Sequence, residues 1–173
     1  MDVYAYFEEQ IPKVNRVLDE VIPALDTEPA QLHAAMRHIL FPGGKRLRPV
    51  LAIAAAEAVG SPGERALPLA AAVELVHTYS LVHDDLPCMD DDAERRGVPS
   101  VHVAFGEAVA VLAGDALLAS AFEVLAKGAP DLEPDRVVAA TLELARAAGS
   151  LSSAGITSSS TRLTFGICSS KYA

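Results

Sequence analysis

The sequence predicts an all-α fold, a bundle of close-packed helices, and three observations carry that prediction. Hydrophobic residues make up 51% of the 173 positions, alanine is abundant, aromatics are 5% and tryptophan is absent. Such a composition favours helices whose small side chains allow close approach. Apolar residues recur at spacings of three and four through most of the chain, the period of a one-sided helix. Proline and glycine fall mostly between these runs, with Pro12 and Gly114 inside them. The length suits one domain with a real core.

The elements follow in order. Residues 3–20 carry Val3, Phe7, Ile11, Val14 and Leu18 on one face. Pro12 is expected to bend that helix or mark a restart, and Pro23 stops it. Glu28-Pro29 opens a second helix with proline in its first turn; Leu32, Met36 and Ile39 form its stripe. Phe41-Pro42-Gly43-Gly44 breaks it, and a third helix is expected from Pro49 to about Val59. A fourth starts near Pro68 and runs, almost wholly apolar, to Val82. Pro87 should end or kink it near Leu86, which could turn the chain back so that residue 90 approaches residue 84. Helix is expected again over 100–127, with an interruption at Phe105-Gly106, and once more from Pro134 to Gly149.

Charge narrows the function. The formal net charge is −9, which argues against nucleic acid as a partner. Cys88 and Cys168 are too few and too far apart for a disulfide framework, so a reducing, cytoplasmic setting is expected. The N-terminus lacks the basic-then-apolar pattern of a secretory signal. No uninterrupted apolar run reaches membrane-span length; the best stretch, 103–119, contains Glu107 and Asp115.

Two segments carry chemistry. The first is His83-Asp84-Asp85-Leu86-Pro87-Cys88-Met89-Asp90-Asp91-Asp92-Ala93-Glu94-Arg95-Arg96-Gly97, with five aspartates in nine residues and two arginines close behind. A charge run is ordinarily a solvated loop. This one ends an apolar helix, and its acids are followed at once by bases. Hard cations such as Mg²⁺ take carboxylate and phosphate oxygens together, and the arginine fork matches phosphate. An EF-hand starting at Asp90 is excluded, since Arg95 and Val101 stand where Gly and Glu are required. The second segment is Gly43-Gly44-Lys45-Arg46-Leu47-Arg48-Pro49. Three bases precede a helix N-terminus, a combination suited to anions. It is not a Walker A loop, because Arg46 follows Lys45 and Ile39 occupies the position of the first glycine. His77 lies seven residues before Asp84, almost two helical turns, so the two share a face with Ser80 and Leu81 between them. His83 reads as a hydrogen-bonding neighbour.

The Asp-Asp-x4-Asp pattern followed by Arg-Arg-Gly resembles the first aspartate-rich motif of the trans-polyprenyl diphosphate synthases, the farnesyl and geranylgeranyl diphosphate synthases. GGKRLRP resembles their isopentenyl-diphosphate-binding segment, and Gly114-Asp115-Ala116-Leu117-Leu118 is also similar. The motifs stand in family order. The resemblance implies an isoprenoid-synthase helix bundle, of which residues 1–149 would be the N-terminal part. It implies condensation of an allylic diphosphate with isopentenyl diphosphate. By motif match, Asp84, Asp85 and Asp90 would be catalytic and hold Mg²⁺, and Arg95 would contact the allylic diphosphate. Lys45, Arg48, His77 and Arg96 would hold isopentenyl diphosphate, with Arg46 a further candidate. Tyr79 and Ser80 stand where the family tunes product length, and a bulky Tyr79 implies farnesyl or geranylgeranyl products. Helical geometry puts Ser80, not Tyr79, on the face of Asp84.

Residues 150–173 hold no acid and no proline, whereas all 23 acids and 11 prolines lie in 1–149. Such a Ser/Thr-rich stretch has little to bury and is expected to lack fixed structure. It does not resemble the family, which would continue with a second aspartate-rich motif; a frameshift or an alternative ending would leave such a tail. With half of the expected metal ligands, this chain is expected to condense poorly. A second reading is a non-catalytic helical partner of an intact synthase. The resemblance also implies a homodimer through helices of this first half.

Overall fold

The computed structural model describes residues 2–128 and 132–149. Seven α-helices, a short 3-10 turn over Gly63–Ala66 and one two-stranded hairpin are the regular elements among the described residues. Helix α1 spans Val3–Val21, α2 Ala30–Leu40, α3 Leu47–Ala58 and α4 Leu67–Asp84. After the hairpin come α5, Val101–Phe105, α6, Glu107–Lys127, and α7, Pro134–Ala148. The expected boundaries hold closely, including the break at Phe105-Gly106, where Gly106 takes φ 88°. The expectations for residues 150–173 lie outside the described residues.

Helix α1 starts where the Asp2 carboxylate accepts from the Tyr4 amide at 3.0 Å, satisfying a donor that the first turn leaves orphaned. It runs through Pro12 without a break and buries Val14 and Leu18 completely. Arg37, in the last turn of α2, ties the two helices together. It donates to the Ile22 carbonyl at 3.1 Å, pairs with Asp19 and lies over the Phe41 ring.

Helix α4 is the axis of the molecule. It has no polar stripe, because α1, α3 and α6 surround it. Ala70, Ala71, Ala72 and Leu75 are fully buried, and Val76 is 1% exposed. Full burial of a Leu or Val side chain is worth about 1.5–3 kcal/mol, and the alanines let neighbouring backbones come close. The most extensive contact is with α6, through Ala110, Ala113, Leu117 and Ala121. A Cβ on Gly114 would lie 2.2 Å from Nε2 of His83, so the imidazole of α4 fills the space that glycine leaves in α6.

Three features depart from the sequence reading. Helix α3 begins at Leu47, two residues before Pro49, because Arg46 adopts the left-handed conformation (φ 47°) and caps it; Pro49 then sits in the first turn, where no N–H is needed. A hairpin appears after the aspartate loop: strand β1, Glu94–Arg95, pairs antiparallel with β2, Val98–Pro99. Its two-residue turn, Arg96-Gly97, has φ 56° and 79°, positive at both positions as tight hairpins require. Helix α6 is, by length and composition, long and apolar enough to cross a membrane, because an 18-residue stretch of it accommodates few charges. It serves as a core helix against α4.

Candidate diphosphate site

The site forms where the C-terminal end of α4, the hairpin and the turn before α3 meet. Helix α4 ends at Asp84, and Asp85 caps it. The chain then turns back: the Asp90 amide donates to the Asp84 carbonyl at 2.8 Å, and those of Met89 and Asp91 donate to the Leu86 carbonyl. Asp84 and Asp90 therefore lie side by side along the backbone. Asp84 is half-buried and Asp90 exposed.

Asp85 is different. It is fully buried, and both its oxygens accept from Arg95. Nε donates to Oδ1 at 2.7 Å and Oδ2 at 2.9 Å, and Nη2 donates to Oδ1 at 2.5 Å. Nη2 also reaches Asp92 Oδ2 at 3.3 Å. Burial pushes the Asp85 carboxyl above its usual range against the pull of Arg95, while the carboxylate raises Arg95 further. Among the described residues no three His, Cys, Asp or Glu side chains are grouped to hold a metal ion. Of the three acids expected to converge on one metal, Asp84, Asp85 and Asp90, Asp85 is the one engaged by Arg95. Asp84 and Asp90 stand at the two ends of the backbone hydrogen bond that closes the turn. Two carboxylates on one turn still fit Mg²⁺, whose shell is commonly completed by phosphate and water oxygens.

The basic side divides as well. Arg46 is 3% exposed. Its Nε donates to Asn15 Oδ1 at 2.9 Å, Nη1 to Glu74 Oε1 at 2.7 Å and Nη2 to the Leu40 carbonyl at 2.7 Å. With all three nitrogens engaged inside the protein, Arg46 is architecture, contrary to its candidacy as a substrate contact. Lys45 is exposed and Arg48 half-buried. Arg48 Nη1 donates to His77 Nε2 at 3.2 Å, which requires the proton of the neutral ring to sit on Nδ1. That Nδ1 is buried and has no hydrogen-bond partner.

Burial lowers the His77 pKa to about 3, helped by the positive charges of Arg48, Arg96, Arg95 and Arg46 around it. Arg96 comes from the hairpin turn. Its guanidinium lies over Gly44, where a Cβ would meet Nη2 at 2.7 Å and Cζ at 2.9 Å. Desolvation lowers the pKa of both Arg48 and Arg96. The structure thus brings His77, Arg48, Arg95 and Arg96 into one electropositive cluster in a chain of net charge −9.

Asn15 and Glu74, which hold Arg46, escaped the sequence reading. Glu74 had a signal, as the single acid in the apolar run before His77. His83 fulfils the expected neighbour role: Nε2 lies 3.1 Å from the Val111 carbonyl and the ring packs edge-on against Tyr79.

Similarity to known proteins agrees with this geometry. The family model described as polyprenyl synthetase matches residues 29–151. The chain is 53% identical over 150 residues to the large subunit 1 of a heterodimeric geranylgeranyl pyrophosphate synthase, chloroplastic, of Arabidopsis thaliana, covering 86% of this chain and 40% of that protein. It is 51% identical over 144 residues to the chloroplastic geranylgeranyl pyrophosphate synthase of Capsicum annuum, covering 83% and 38%. The chain thus spans about two fifths of the length of these relatives. The fold is similar to the crystal structure of an FPP/GFPP synthase from Zymomonas mobilis, with TM-score 0.82, 37% identity, and 94% and 60% of the two chains covered. The match over residues 29–151 takes in both charged segments and all of the cluster around His77, and the chain belongs to the polyprenyl synthetase family.

Proposed function

We propose that this chain carries the diphosphate-gripping part of a prenyltransferase that joins an allylic diphosphate to isopentenyl diphosphate, giving farnesyl or geranylgeranyl diphosphate. One observation carries the reading. A buried neutral imidazole with an unpaired Nδ1–H sits among four arginines, an arrangement that a phosphate oxygen would satisfy and that an isolated protein has no use for.

In this reading Lys45, Arg48, Arg96 and His77 hold isopentenyl diphosphate, and Arg95 contacts the allylic diphosphate. Asp84 and Asp90 hold Mg²⁺, which when bound supplies Lewis-acid stabilisation to the departing diphosphate. The allylic C–O bond breaks and diphosphate leaves with the electron pair. The double bond of isopentenyl diphosphate attacks the allylic carbon, and a proton is lost. The fixed guanidinium groups favour charge developing on the leaving oxygens, and the apolar helices keep water from the cation. The 173 residues contain no second aspartate-rich motif, so condensation by this chain alone is expected to be weak.

Calorimetric titration with inorganic pyrophosphate, with and without Mg²⁺, tests the grip. Binding that Mg²⁺ strengthens and Arg48→Ala abolishes is expected; no binding in either condition overturns the reading. Incubation with Mg²⁺, dimethylallyl diphosphate and labelled isopentenyl diphosphate tests turnover, and robust product would refute the expected impairment.

Pairing with another subunit, a second copy or an intact synthase, has its own support. Val103 on α5 and Val111 and Leu112 on α6 are 53%, 41% and 57% exposed, and two relatives are named as a heterodimer's large subunit. Co-purification with an intact synthase would favour a partner role, and a monomer that ignores it would not. The cytoplasmic location suggested by the cysteine count remains a proposal, beside the chloroplastic names of plant relatives.

A further inference from the structure

We propose that Asp85 is a positioning residue for Arg95 and not a metal ligand: its sealed carboxylate fixes the hairpin so that Arg95 and Arg96 stand ready for diphosphate before any ligand arrives. This rests on the diphosphate-binding reading above and deepens it.

Three observations converge. The Asp85 side chain is 1% exposed and that of Arg95 13%, so the carboxylate is sealed while the guanidinium reaches the surface. A hydrated cation would have to displace Arg95 to reach Asp85, stripping the charge-assisted hydrogen bonds from a buried acid. Arg95 commits Nε and Nη2 to Asp85 and Asp92 and donates no hydrogen bond through Nη1 among the described residues. That fixes the plane of the fork and leaves one edge for an incoming oxygen. The hairpin makes the coupling local. Arg95 is the last residue of β1, and the next residue, Arg96, holds a left-handed conformation (φ 56°) over Gly44. Such a conformation in a non-glycine residue persists only where its surroundings enforce it. The Asp85–Arg95 pair and the antiparallel pairing of β1 with β2 are that enforcement. One buried acid thereby sets two arginines that the proposed reaction assigns to different diphosphates.

The test uses the full chain with D85N, D84N, D90N, R95Q and the double variant D85N/R95Q. Electron paramagnetic resonance with Mn²⁺ in place of Mg²⁺ reads metal affinity. D85N is expected to stay close to wild type, while D84N and D90N weaken binding by about tenfold. Titration with pyrophosphate reads the cradle. D85N and R95Q should each lower affinity by about tenfold, and the double variant should lose no more than either alone. A D85N loss of Mn²⁺ affinity equal to that of D84N, or additive losses in the double variant, overturns the proposal.

Nitrogen-15 NMR of the Arg95 Nε–H separates this idea from the function it rests on. In wild type that proton should exchange slowly, and in D85N its protection should collapse. Retained protection in D85N overturns the positioning role even if the chain binds pyrophosphate. If wild type binds neither Mn²⁺ nor pyrophosphate, the functional reading fails, and the Nε–H comparison alone decides the positioning. If D85N does not fold, the wild-type signal decides: persistence on adding Mg²⁺ and pyrophosphate supports the proposal, and loss overturns it.

Discussion

Arg46 and Arg95 each clasp a carboxylate, yet the two pairs sit in different worlds. Arg46 and Glu74 have side chains 2% and 3% exposed, and the guanidinium is further held by Asn15 and the Leu40 carbonyl. This pair binds α1, the end of α2, the start of α3 and the middle of α4 into one body. In the Arg95 pair the acid is sealed and the base is not. A pair closed on both sides is structural, because no ligand can compete for it. A pair closed on the acid side alone displays its cation. Two residues of one motif show the same contrast: Arg46 turns inward, whereas Arg48, two positions on, meets His77.

The largest expected effect tests the closed pair. Glu74→Ala strands the Arg46 charge and should cost about 3–5 kcal/mol in urea unfolding, while replacing both partners with apolar residues (R46M/E74L) should recover most of it. Arg95→Gln should cost clearly less, since a stranded Asp85 can protonate. Equal losses for Glu74→Ala and Arg95→Gln would erase the distinction.

A second expectation concerns pH. His77 titrates near 6.5 unfolded but near 3 in the folded chain. The unfolded chain therefore takes up the proton first as pH falls. Stability is complete above about pH 6.5 and declines toward pH 3, by about 4–5 kcal/mol from this group. Subtracting the profile of His77→Gln from that of wild type isolates it; parallel profiles would mean the imidazole is not held neutral.

The smallest stability effect carries the sharpest functional one. Gly44→Ala puts a methyl group against the Arg96 guanidinium, the flexible end of a side chain. Stability should change by less than about 0.5 kcal/mol, while pyrophosphate affinity falls. An unchanged affinity would show that the placement of Arg96 over Gly44 is incidental.

Much of the fold was legible because proline and glycine mark where helices stop, and Pro23, Phe105-Gly106 and Pro134 mark them here. The hairpin was not. Its strands are two residues long, too short for alternation to show, and Arg96 stands at a turn position that usually holds Asn or Asp. In the site, residue type pointed to phosphate chemistry, but which base faces inward was beyond spacing arguments. That choice depends on Glu74, a helix away and 28 residues on. Backbone conformation tells the same story. Among the described residues the non-glycine positions with positive φ are Arg46, Asp91 and Arg96, all within the two charged segments, where local preference yields to the surroundings.

The imidazole of His83 lodged in the gap at Gly114 has a mechanical consequence. Sliding α6 along α4 by a single turn would drive the ring into a neighbour that carries a Cβ, so the two helices are keyed like a pin in a slot. Since His83 immediately precedes Asp84, that key fixes where the aspartate loop begins relative to α6. Alterations on the far side of α6 can thus reach the acids as a shift in height, without touching any charged group.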